Sequence, residues 1–444
     1  MSSSSCQRYL EQAQLFGIRL GLDNIRAVLE SFDQPQESFP SIHVAGTNGK
    51  GSVCAMLSEI FKLHGYRTGL YTSPHLVEVR ERIQINGEMI PEKDFCRLLQ
   101  EVEKKERKLK KLGLITGALT FFEILTIVAF LYFRQKKIEM AILEVGMGGR
   151  YDATNVVNPL VSVITTISYD HQQYLGRTIK KIAGEKAGIV KEKIPCVCGV
   201  KNKIALEVIK KRCQQLQAPL IEVFSRGNRL SVDKNGLLPL FTFKSSDDIY
   251  KFRVSLPGYH QGENAATAIL VTEALRKLGW RFKKSIIIKA LSHTRWPGRL
   301  EIYSNNPLII MDGCHNEDGA RVVSEYLKAN LNQPVILVFA VMKDKNIEKI
   351  AHYLFPLASR IILTRPPLER ASTPEEIAFR IPKFRSKYFL EENVPSAIRL
   401  ALALSAGSFP ILIAGSLFLV GEAKKFFANY ERHNKVRNNT PVAF

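Results

Sequence analysis

The stretch HVAGTNGKGS, residues 43–52, places glycines, a lysine and a serine between a short apolar run and a helical one. A strand, a glycine-rich turn with inward N–H groups and a helix N-terminus together form a phosphate site. Gly46 and Gly49 allow close backbone approach to phosphate oxygens, and Lys50 is expected to reach the β- and γ-phosphates of a nucleotide. Ser52 offers a hydroxyl to Mg²⁺. The pattern predicts a nucleotide-binding loop; a glycine-rich turn without a ligand is the alternative.

This loop departs twice from the common phosphate-loop pattern G-x-x-x-x-G-K-[ST]. Val44 stands where the first glycine is expected, and Gly51 separates Lys50 from Ser52. Phosphate binding requires the order of strand, turn and helix rather than one fixed spacing, so the prediction of a phosphate site holds.

The composition limits the class of protein. The 444 residues are 45% hydrophobic and 24% charged, which is typical of a globular protein with two or three domains. The seven cysteines are odd in number and scattered, which favours a reducing cytoplasm over a disulfide scaffold. The N-terminus lacks the apolar core of a signal peptide, so we expect no export. Cys196 and Cys198 form a lone C-x-C, more typical of a buried strand than of a zinc site.

Charge and hydropathy bear on the partners. The net charge of +21 admits nucleic acid or polyanionic small molecules. The densest basic run, EKKERKLKK at 103–111, alternates in sign and is typical of a solvated helix face. The most apolar segment, 119–133, contains Glu123 and is too short to span a bilayer, so it predicts a buried helix. We therefore expect neither a nucleic-acid nor a membrane partner.

Strand-like and helical runs alternate along the chain, which predicts an α/β fold with parallel, doubly wound sheets. Residues 292–307 are punctuated by Pro, Gly and Asn and indicate a domain boundary near residue 298. We predict an N-terminal phosphate-loop domain over residues 1–298 and a smaller, Rossmann-like α/β domain over residues 299–444. The predicted strands lie at 41–46, 67–73, 139–145, 160–167, 194–200, 307–313, 334–340, 360–364 and 409–415.

Two β-rich stretches interrupt the alternation. Asn86-Gly87 is a hairpin turn signal within ERIQINGEMI. Residues 229–256 predict a small antiparallel excursion.

The loop sequence AGTNGKGS resembles the nucleotide loop of the Mur ligase superfamily, and specifically of its folylpolyglutamate synthase/dihydrofolate synthase family. Its Lys-Gly-Ser ending resembles that folate branch more than the cell-wall ligases, which usually have Ser or Thr next to the Lys. Further strings resemble successive family motifs, in order, through most of the chain. They are GIRLGLDNI (17–25), TSPHL (72–76), LTFFE (119–123), LEVGMGGRYDATN (143–155), DHQQYLG (170–176), EKAGI (185–189), HQGENAATA (260–268), WPGRLE (296–301) and DGCHN (312–316).

Three ionisable residues can be interpreted from their surroundings in the sequence. Glu144 ends an apolar strand, where a carboxylate can hold Mg²⁺ against a nucleotide; an edge glutamate in solvent is the alternative. His171 follows another strand and is either a polar residue of the site or a satisfied structural histidine. Lys186 lies among small residues, where it loses its proton more easily; a lysine on a helix surface is the alternative.

The resemblance implies a site for ATP and two Mg²⁺ ions. Ser52, Ser73 and Glu144 would hold the first ion, and His171 would be a ligand of the second. Lys186 would be carbamylated, which converts a cation into a carboxylate-like metal ligand. The catalytic residues implied are Lys50, Lys186 and His171. The nucleotide-binding residues implied are Asn48, Gly49, Lys50, Gly51, Ser52, Asn264, Arg299 and Asp312, with domain closure completing the site.

The resemblance also implies a folate end and a glutamate end. Phe121 or Phe122 would stack on a flat pterin or aminobenzoyl ring, with core aromatics of a buried helix as the alternative. The family often has Pro where Glu317 stands and usually Leu where Tyr151 stands, which leaves the loop geometry near Glu317 open. The substrate-binding residues implied are Thr72, Phe121, Phe122 and Asp152 for the folate and His315 and Ser416 for the incoming glutamate.

The activity implied is that of an ATP-dependent amide ligase. Phosphorylation of an acceptor carboxylate by ATP would give an acyl phosphate, and the amine of L-glutamate would displace phosphate. Dihydropteroate and folates would both be acceptors, with extension of folates alone as the alternative. We expect a cytoplasmic monomer whose partners are small molecules: ATP, L-glutamate and dihydropteroate or reduced folates.

Two other classes of protein remain as alternatives. A cell-wall amino-acid ligase of the same superfamily would normally carry an additional N-terminal domain, whereas about 40 residues precede this loop. A nucleic-acid-dependent ATPase would not need the full set Ser73, Glu144, His171 and Lys186, because binding alone requires no second metal.

Overall fold

The computed structural model describes residues 3–15, 17, 19, 21–233 and 239–438. Within the stretch GIRLGLDNI, Ile18 and Leu20 lie outside the described residues, as does the turn 234–238 of the antiparallel excursion. The chain divides into two compact units. The first comprises Met1–Pro74, Arg80–Ser255 and Tyr259–Arg295, and the second comprises His75–Val79, Leu256–Gly258 and Trp296–Phe444.

The described part of the first unit is built on an eight-stranded sheet. Its strands are β1 (Ser41–Ala45), β2 (Thr68–Tyr71), β3 (Ile83–Ile85), β4 (Glu88–Met89), β5 (Met140–Glu144), β6 (Val161–Ile164), β7 (Cys196–Cys198) and β8 (Leu220–Glu222). Their spatial order is β4-β3-β2-β5-β1-β6-β7-β8. The six strands from β2 to β8 in that order run parallel, and β3 and β4 add an antiparallel hairpin. The α/β prediction is therefore confirmed.

The central strand β1 lies between β5 and β6, and all of its residues are buried. Successive side chains of a strand point to opposite faces, so burial of every residue means that both faces are covered. The same holds for β5 and β6. Because these three strands are parallel neighbours, their carboxyl ends meet at one edge of the sheet, which is where ligands bind in open α/β sheets.

Helices cover the sheet and connect its strands. In the first unit they are α1 (Ser3–Leu15), α2 (Asp23–Glu30), α3 (Lys50–Leu63), α4 (Glu92–Lys111), α5 (Phe121–Gln135), α6 (Gln172–Leu175), α7 (Ile179–Lys186), α8 (Lys203–Gln215), α9 (His260–Lys277) and α10 (Lys284–His293). Helix α5 starts at a capping box between Thr120 and Glu123 and is buried from Glu123 to Phe133, as the apolar segment predicted. Among the described helices, none is long and apolar enough to cross a membrane.

Both predicted β-rich interruptions are present. Asn86 and Gly87 have φ values of 52° and 87° and join β3 to β4, as a hairpin with left-handed turn residues requires. The antiparallel excursion contains β9 (Arg229–Asp233), β10 (Leu240–Lys244) and β11 (Ile249–Phe252) in the order β11-β10-β9.

The basic run on α4 has one buried charged residue. Glu106 is 6% exposed, so the prediction of a wholly solvated face is wrong at this position. Its carboxylate accepts hydrogen bonds from the Leu119 N–H at 2.7 Å and from the Tyr9 hydroxyl. Glu106 is therefore buried because it connects α1 to the loop that precedes α5.

The described part of the second unit has a six-stranded sheet. Its strands are β12 (Glu301–Asn305), β13 (Leu308–Asp312), β14 (Val335–Phe339), β15 (Ala358–Leu363), β16 (Tyr388–Leu390) and β17 (Ile411–Ala414), in the order β12-β13-β17-β14-β15-β16. Only β12 runs antiparallel to its neighbour. The helices are α11 (Glu317–Asn330), α12 (Ile347–Leu354), α13 (Pro374–Arg380), α14 (Val394–Ser405) and α15 (Leu417–Asn438), and an apolar cluster lies on each face of the sheet.

The segment His75–Val79 packs within this second unit although it is distant from it in the sequence. Leu76 packs against the cluster formed by β13, β14, β17 and α15. Gly421 lies so close to the Leu76 carbonyl that a Cβ at position 421 would clash with it. A glycine is therefore required where α15 passes this segment.

We expect Phe130→Ala to destabilise the first unit strongly. Phe130 is 0% exposed in the middle of α5 and packs against Phe39, with 6.1 Å between ring centroids. Loss of a buried phenylalanine side chain costs about 3–5 kcal/mol of unfolding free energy. Urea unfolding followed by circular dichroism measures the change. Leu112→Ala is the control, because Leu112 is 61% exposed; equal shifts of the unfolding midpoint in both variants would contradict the assignment of α5 to the core.

Candidate active site

The glycine-rich loop after β1 is fixed by the two threonines that follow β6. The Asn48 N–H donates to the Thr166 Oγ1 at 3.0 Å, and the Thr165 Oγ1 donates to the Asn48 carbonyl at 2.7 Å. The Thr47 N–H donates to the Thr166 carbonyl at 2.7 Å. Gly46, which is too close to Thr165 to carry a Cβ, has a φ of 152°. These bonds hold the loop in one shape while its helix begins at Lys50.

Gly49 precedes α3 and lies beside α9. Its φ of 85° is in the left-handed region, and a Cβ there would stand 2.5 Å from the Asn264 Oδ1. The Asn264 Nδ2 donates to the Gln261 Oε1 at 2.9 Å, and the Gln261 Nε2 lies 3.4 Å from the Ser52 Oγ. Asn264, predicted as a nucleotide ligand, is thus brought to the loop by the first turn of α9.

Two lysines lie at this loop. The Lys50 ammonium donates to the Thr47 carbonyl at 3.1 Å, and the Lys186 Nζ donates to the Gly46 carbonyl at 2.8 Å. Lys186 is 5% exposed, so the interpretation as a helix-surface lysine is wrong: α7 ends with this side chain directed into the site. Burial, helped by the Lys50 cation, lowers the pKa of Lys186 to about 7, while Asp170 and Asp152 oppose the shift.

Glu144 is buried at the carboxyl end of β5, so the alternative of an edge glutamate in solvent is wrong. Its Oε2 accepts from the Ser73 N–H at 3.1 Å. Burial raises the pKa of the Cys54 thiol on α3, and the charges of Glu144 and Lys50 act on that thiol in opposite directions. Both charged groups are therefore close to the start of α3.

The donor set at this edge suits Mg²⁺. Ser52, Ser73 and Glu144 offer only oxygen atoms, which Mg²⁺ prefers, and Mg²⁺ usually takes one or two carboxylates together with phosphate oxygens and water. Among the described residues, no group of three or more His, Cys, Asp or Glu side chains could hold a metal ion. A metal site here would therefore combine Glu144 with serine hydroxyls and ligand oxygens.

His171 caps the short helix α6 with a φ of 49°, and its side chain is 34% exposed. Its N–H donates to the Asp170 Oδ1 at 2.9 Å, and its Nε2 is 3.8 Å from the Asp170 Oδ2. Asp170 itself is buried and acts electrostatically on Lys186. Asp170 is thus a charged member of the site that the sequence analysis did not single out.

Phe121 and Phe122 open α5 and are both half-buried, whereas the helix residues that follow them are buried. The Arg82 guanidinium lies 5.1 Å from the centroid of the Phe121 ring. The Phe122 ring lies 5.7 Å from that of Tyr71 and against Gly146, where a Cβ would be 2.7 Å from the ring. Thr72, which follows Tyr71, is buried.

Asp152 is 7% exposed and caps the short turn Ala153–Val156. Its Oδ1 accepts from the Thr154 N–H at 3.0 Å and from the Thr154 Oγ1 at 2.5 Å, and its Oδ2 accepts from the Met147 N–H at 2.9 Å. Burial raises the pKa of this carboxyl group. Tyr151, where the family usually has Leu, is 47% exposed.

In the second unit, Asp312 ends β13 and its two oxygens accept from the Leu300 and Cys314 N–H groups, each at 2.8 Å. Burial raises the pKa of Asp312, and the Arg299 cation opposes this. The His315 Nδ1 lies 3.0 Å from the Gly313 carbonyl. Arg299, Asp312 and His315 therefore lie around one strand end.

Two predicted details near this strand end have structural roles. Ser416 is 2% exposed, and its Oγ accepts from the Leu419 N–H at 3.1 Å in the first turn of α15. Glu317 begins α11 after the capping residue Asn316 and pairs with Lys349 at 2.6 Å. A carboxylate suits a helix N-terminus, so Glu317 in place of Pro leaves a normally capped helix.

The site also includes residues that the sequence analysis missed. Four of them follow an apolar strand, where polar residues are typical of a sheet edge that binds ligands, whereas Gln261 lies in α9. They are Thr47, Thr165, Thr166, Asp170 and Gln261.

Comparisons with known proteins agree with this architecture. Residues 44–272 match the Mur ligase middle domain, and residues 298–417 match the Mur ligase, glutamate ligase domain. The dihydrofolate synthase/folylpolyglutamate synthase of Bacillus subtilis (strain 168) is 34% identical over 414 residues, covering 92% of this chain and 95% of that protein.

Two solved structures are similar over almost their full length. The Mycobacterium tuberculosis folylpolyglutamate synthase complexed with ADP and AMPPCP has a TM-score of 0.88 at 31% identity, with 95% of this chain and 97% of that chain covered. The Escherichia coli FolC in complex with DHPP and ADP has a TM-score of 0.84 at 27% identity, with 96% and 98% covered. The chain belongs to the Mur ligase superfamily and, within it, to the dihydrofolate synthase/folylpolyglutamate synthase family.

Proposed function

We propose that this protein is an ATP-dependent amide ligase that adds L-glutamate to dihydropteroate and to the γ-carboxylate of folates. The observation that carries the proposal is the loop 46–52, with two lysines and a buried glutamate beside it at the carboxyl edge of a parallel sheet. The relatives support it, since those proteins are named for both synthase activities and their complexes contain ADP, AMPPCP and DHPP.

The reaction joins a carboxylate to an amine. A carboxylate oxygen is a poor leaving group, so the γ-phosphoryl group of ATP is first transferred to it, which gives an acyl phosphate and ADP. The amine of L-glutamate then attacks the carbonyl carbon, phosphate leaves with the bonding electrons, and the amine loses a proton. Positioning and stabilisation of negative charge are what the protein must supply.

The loop and its lysine perform that task in the first unit. The N–H groups at the start of α3 face the phosphates, and Lys50 moves from the Thr47 carbonyl to the transferring phosphoryl group. Asn48, Gly49, Gly51 and Asn264 contact the nucleotide.

Metal binding is assigned to residues of the same edge. Ser52, Ser73 and Glu144 would hold one Mg²⁺, and His171 and a carbamylated Lys186 would hold a second. When bound, Mg²⁺ neutralises charge on the phosphates. A carbamate on Lys186 would be an oxygen donor, which suits Mg²⁺ better than an amine does.

The acceptor binds at the start of α5 in this proposal. Phe121 and Phe122 are half-buried and offer ring faces to a flat pterin or aminobenzoyl group. Thr72 and Asp152 flank this end. Both acceptors present the same flat ring system, and a folate places one glutamate residue between its rings and the γ-carboxylate that must reach the loop.

The second unit binds the remaining groups. Arg299 and Asp312 are assigned to the nucleotide, since Arg pairs with phosphate and a carboxylate at a strand end can hold a ribose hydroxyl. His315 and Ser416 are assigned to L-glutamate. We assign ATP binding to the predicted domain over residues 1–298 and glutamate binding to that over residues 299–444. The compact units differ from these bounds, since the second unit begins at Trp296 and includes His75–Val79 and Leu256–Gly258.

The first test is phosphate release with MgATP and L-glutamate, with dihydropteroate or tetrahydrofolate as acceptor and product masses read in parallel. We expect turnover with both acceptors, each gaining one glutamate. Turnover with tetrahydrofolate alone would restrict the protein to folate extension. The absence of turnover with either acceptor would contradict the proposed function.

Lys50→Ala should remove most of the activity in that assay. Loss of a group that stabilises transition-state charge costs about a hundredfold to a thousandfold in kcat. Lys62→Ala is the control, because Lys62 lies exposed in the last turn of the same helix. A fully active Lys50→Ala variant would refute the phosphate-loop assignment.

Gly49→Ala should weaken ATP binding by about tenfold or more, because a shift of only about 1 Å in a positioned group can cost a hundredfold. Gly65→Ala is a matched control: both glycines have a φ of 85°, but a Cβ at Gly65 meets nothing within 4 Å, whereas one at Gly49 meets Asn264. Both variants carry similar backbone strain. Isothermal titration calorimetry with ADP therefore separates the effect of backbone strain from that of the clash with Asn264. Equal ADP affinities of Gly49→Ala and Gly65→Ala would contradict the placement of Asn264.

Labelled bicarbonate should produce one lysine carbamate signal in ¹³C NMR spectra. The folded pKa of Lys186 is about 7, below the usual 10.5, so the neutral, nucleophilic amine appears as the pH rises through 7 and the signal should rise with it. Lys186→Met should lack the signal. Lys191→Met removes another lysine whose pKa is lowered by burial, and this variant should keep the carbamate signal. Loss of the signal in Lys191→Met but not in Lys186→Met would show that the carbamate is not on Lys186.

A further inference from the structure

One buried histidine has no place in the mechanism above. His43 lies in the middle of β1, paired with Leu143 of β5 and Ser162 of β6, and is 0% exposed. Its Nε2 lies 2.7 Å from the Thr154 Oγ1. Polar side chains are rare in the interior of a parallel sheet unless they are hydrogen-bonded, so this contact needs an explanation.

The directions of the two hydrogen bonds at the Thr154 hydroxyl follow from the single proton that this hydroxyl carries. The Thr154 hydroxyl donates its one proton to the Asp152 Oδ1 at 2.5 Å. It must therefore accept from His43, which places the histidine proton on Nε2. The His43 Nδ1 has no hydrogen-bond partner among the described residues, which agrees with a neutral ring whose Nδ1 carries no proton. Burial, with the charge of Lys191, lowers the pKa of His43 to about 3, so the ring stays neutral.

The hydrogen bonds from His43 through Thr154 to Asp152, called the relay here, continue from Asp152 to the backbone after β5. The Asp152 Oδ2 accepts from the Met147 N–H at 2.9 Å, and the Gly146 N–H also stabilises the charged form of this carboxyl group. The chain of contacts thus runs from His43 through Thr154 and Asp152 to Gly146 and Met147.

Gly146 is the residue through which this series of contacts reaches the ring of Phe122. A Cβ at position 146 would stand 2.7 Å from the Phe122 ring, so backbone and ring are in close contact. Phe122 also packs against Tyr71, with 5.7 Å between ring centroids. A shift of the Gly146 backbone would therefore move the ring or open a gap beside it.

We propose that His43 and Thr154 are positioning residues for the acceptor: by fixing Asp152 they hold the Gly146–Met147 backbone against Phe122, and so set the surface on which the ring system of the folate or pteroate binds. This inference rests on the proposed function. It assigns a specificity role to a side chain that touches neither substrate nor nucleotide in that proposal, because His43 lies inside the sheet and acts only through Thr154 and Asp152.

The test separates acceptor binding from ATP binding. His43→Leu removes the donor, whereas His43→Gln can place an amide N–H near the original Nε2. We expect His43→Leu to raise KM for dihydropteroate and for tetrahydrofolate about tenfold, because small misplacements of a binding group have effects of up to about a hundredfold. KM for ATP should change less than about twofold, and His43→Gln should recover most of the acceptor affinity.

A matched pair covers the case in which His43→Leu fails to fold. Thr154→Val breaks the relay with little change of shape, and Thr154→Ser keeps the hydroxyl, so acceptor KM should rise in the first and remain near the wild-type value in the second. Thr272→Val is the control for loss of a buried hydroxyl, because Thr272 is 0% exposed and donates to the Ile269 carbonyl at 2.7 Å on α9.

The outcomes are distinguishable. An unchanged acceptor KM in Thr154→Val, or equal increases in KM for acceptor and ATP, overturns the relay while the proposed function stands. Equal acceptor KM values in Thr154→Val and Thr154→Ser also overturn it. Inactivity of the wild-type protein with both acceptors overturns the proposed function and the relay with it.

Discussion

The hydrogen bonds between Asn48 and the threonine pair after β6 are the constraint on which the site depends. A loop rich in glycine has many conformations, and fixing each residue costs about 1–2 kcal/mol in backbone entropy. Thr165 and Thr166 satisfy both the N–H and the carbonyl of Asn48. This fixes the backbone that leads into α3, and it sets the Gly46 carbonyl where Lys186 can reach it.

The charges around this loop form a second level of organisation. Lys50 and Lys186 are close enough to influence each other, and the burial of Lys186 makes a charged ammonium costly there. The structure reduces that cost with Asp170 and Asp152 and with a lowered proton affinity at Lys186 itself. A polyphosphate would reduce it further, which is consistent with a site that is most stable when an anion is bound.

The parts of the fold that follow local rules were predictable from sequence. The buried strands, the Asn86-Gly87 hairpin and the buried helix α5 depend on residue periodicity and turn chemistry, which are visible in a single chain. The edge strands β8, β12 and β16 were missed, because they are short and only partly buried. The conformation of the glycine-rich loop was also predictable, because its strand, glycine turn and helix lie within about a dozen residues.

The remaining features depend on residues far apart in the sequence. Lys186 has an ordinary helical neighbourhood, and only its packing against Gly46 shows that it is buried. Glu106 sits in a run of charges, and its burial follows from Tyr9 and Leu119. Local composition carries no signal for such partners, so a pattern-based analysis assigns these side chains to solvent.

The passage of the chain between the two units has a practical consequence. The second unit contains the short segments His75–Val79 and Leu256–Gly258 as well as all residues from Trp296 onward. The polypeptide therefore passes from one unit to the other five times. A single cut or stop codon near residue 295 would therefore not release two self-contained halves: Leu76 would lose Gly421 and the apolar cluster beneath it. Because Ser73 lies only three residues before Leu76, an isolated N-terminal fragment would carry an unpacked internal segment next to its candidate metal ligand. Complementation from two separately expressed fragments should succeed only where a break is made in an exposed turn of one unit.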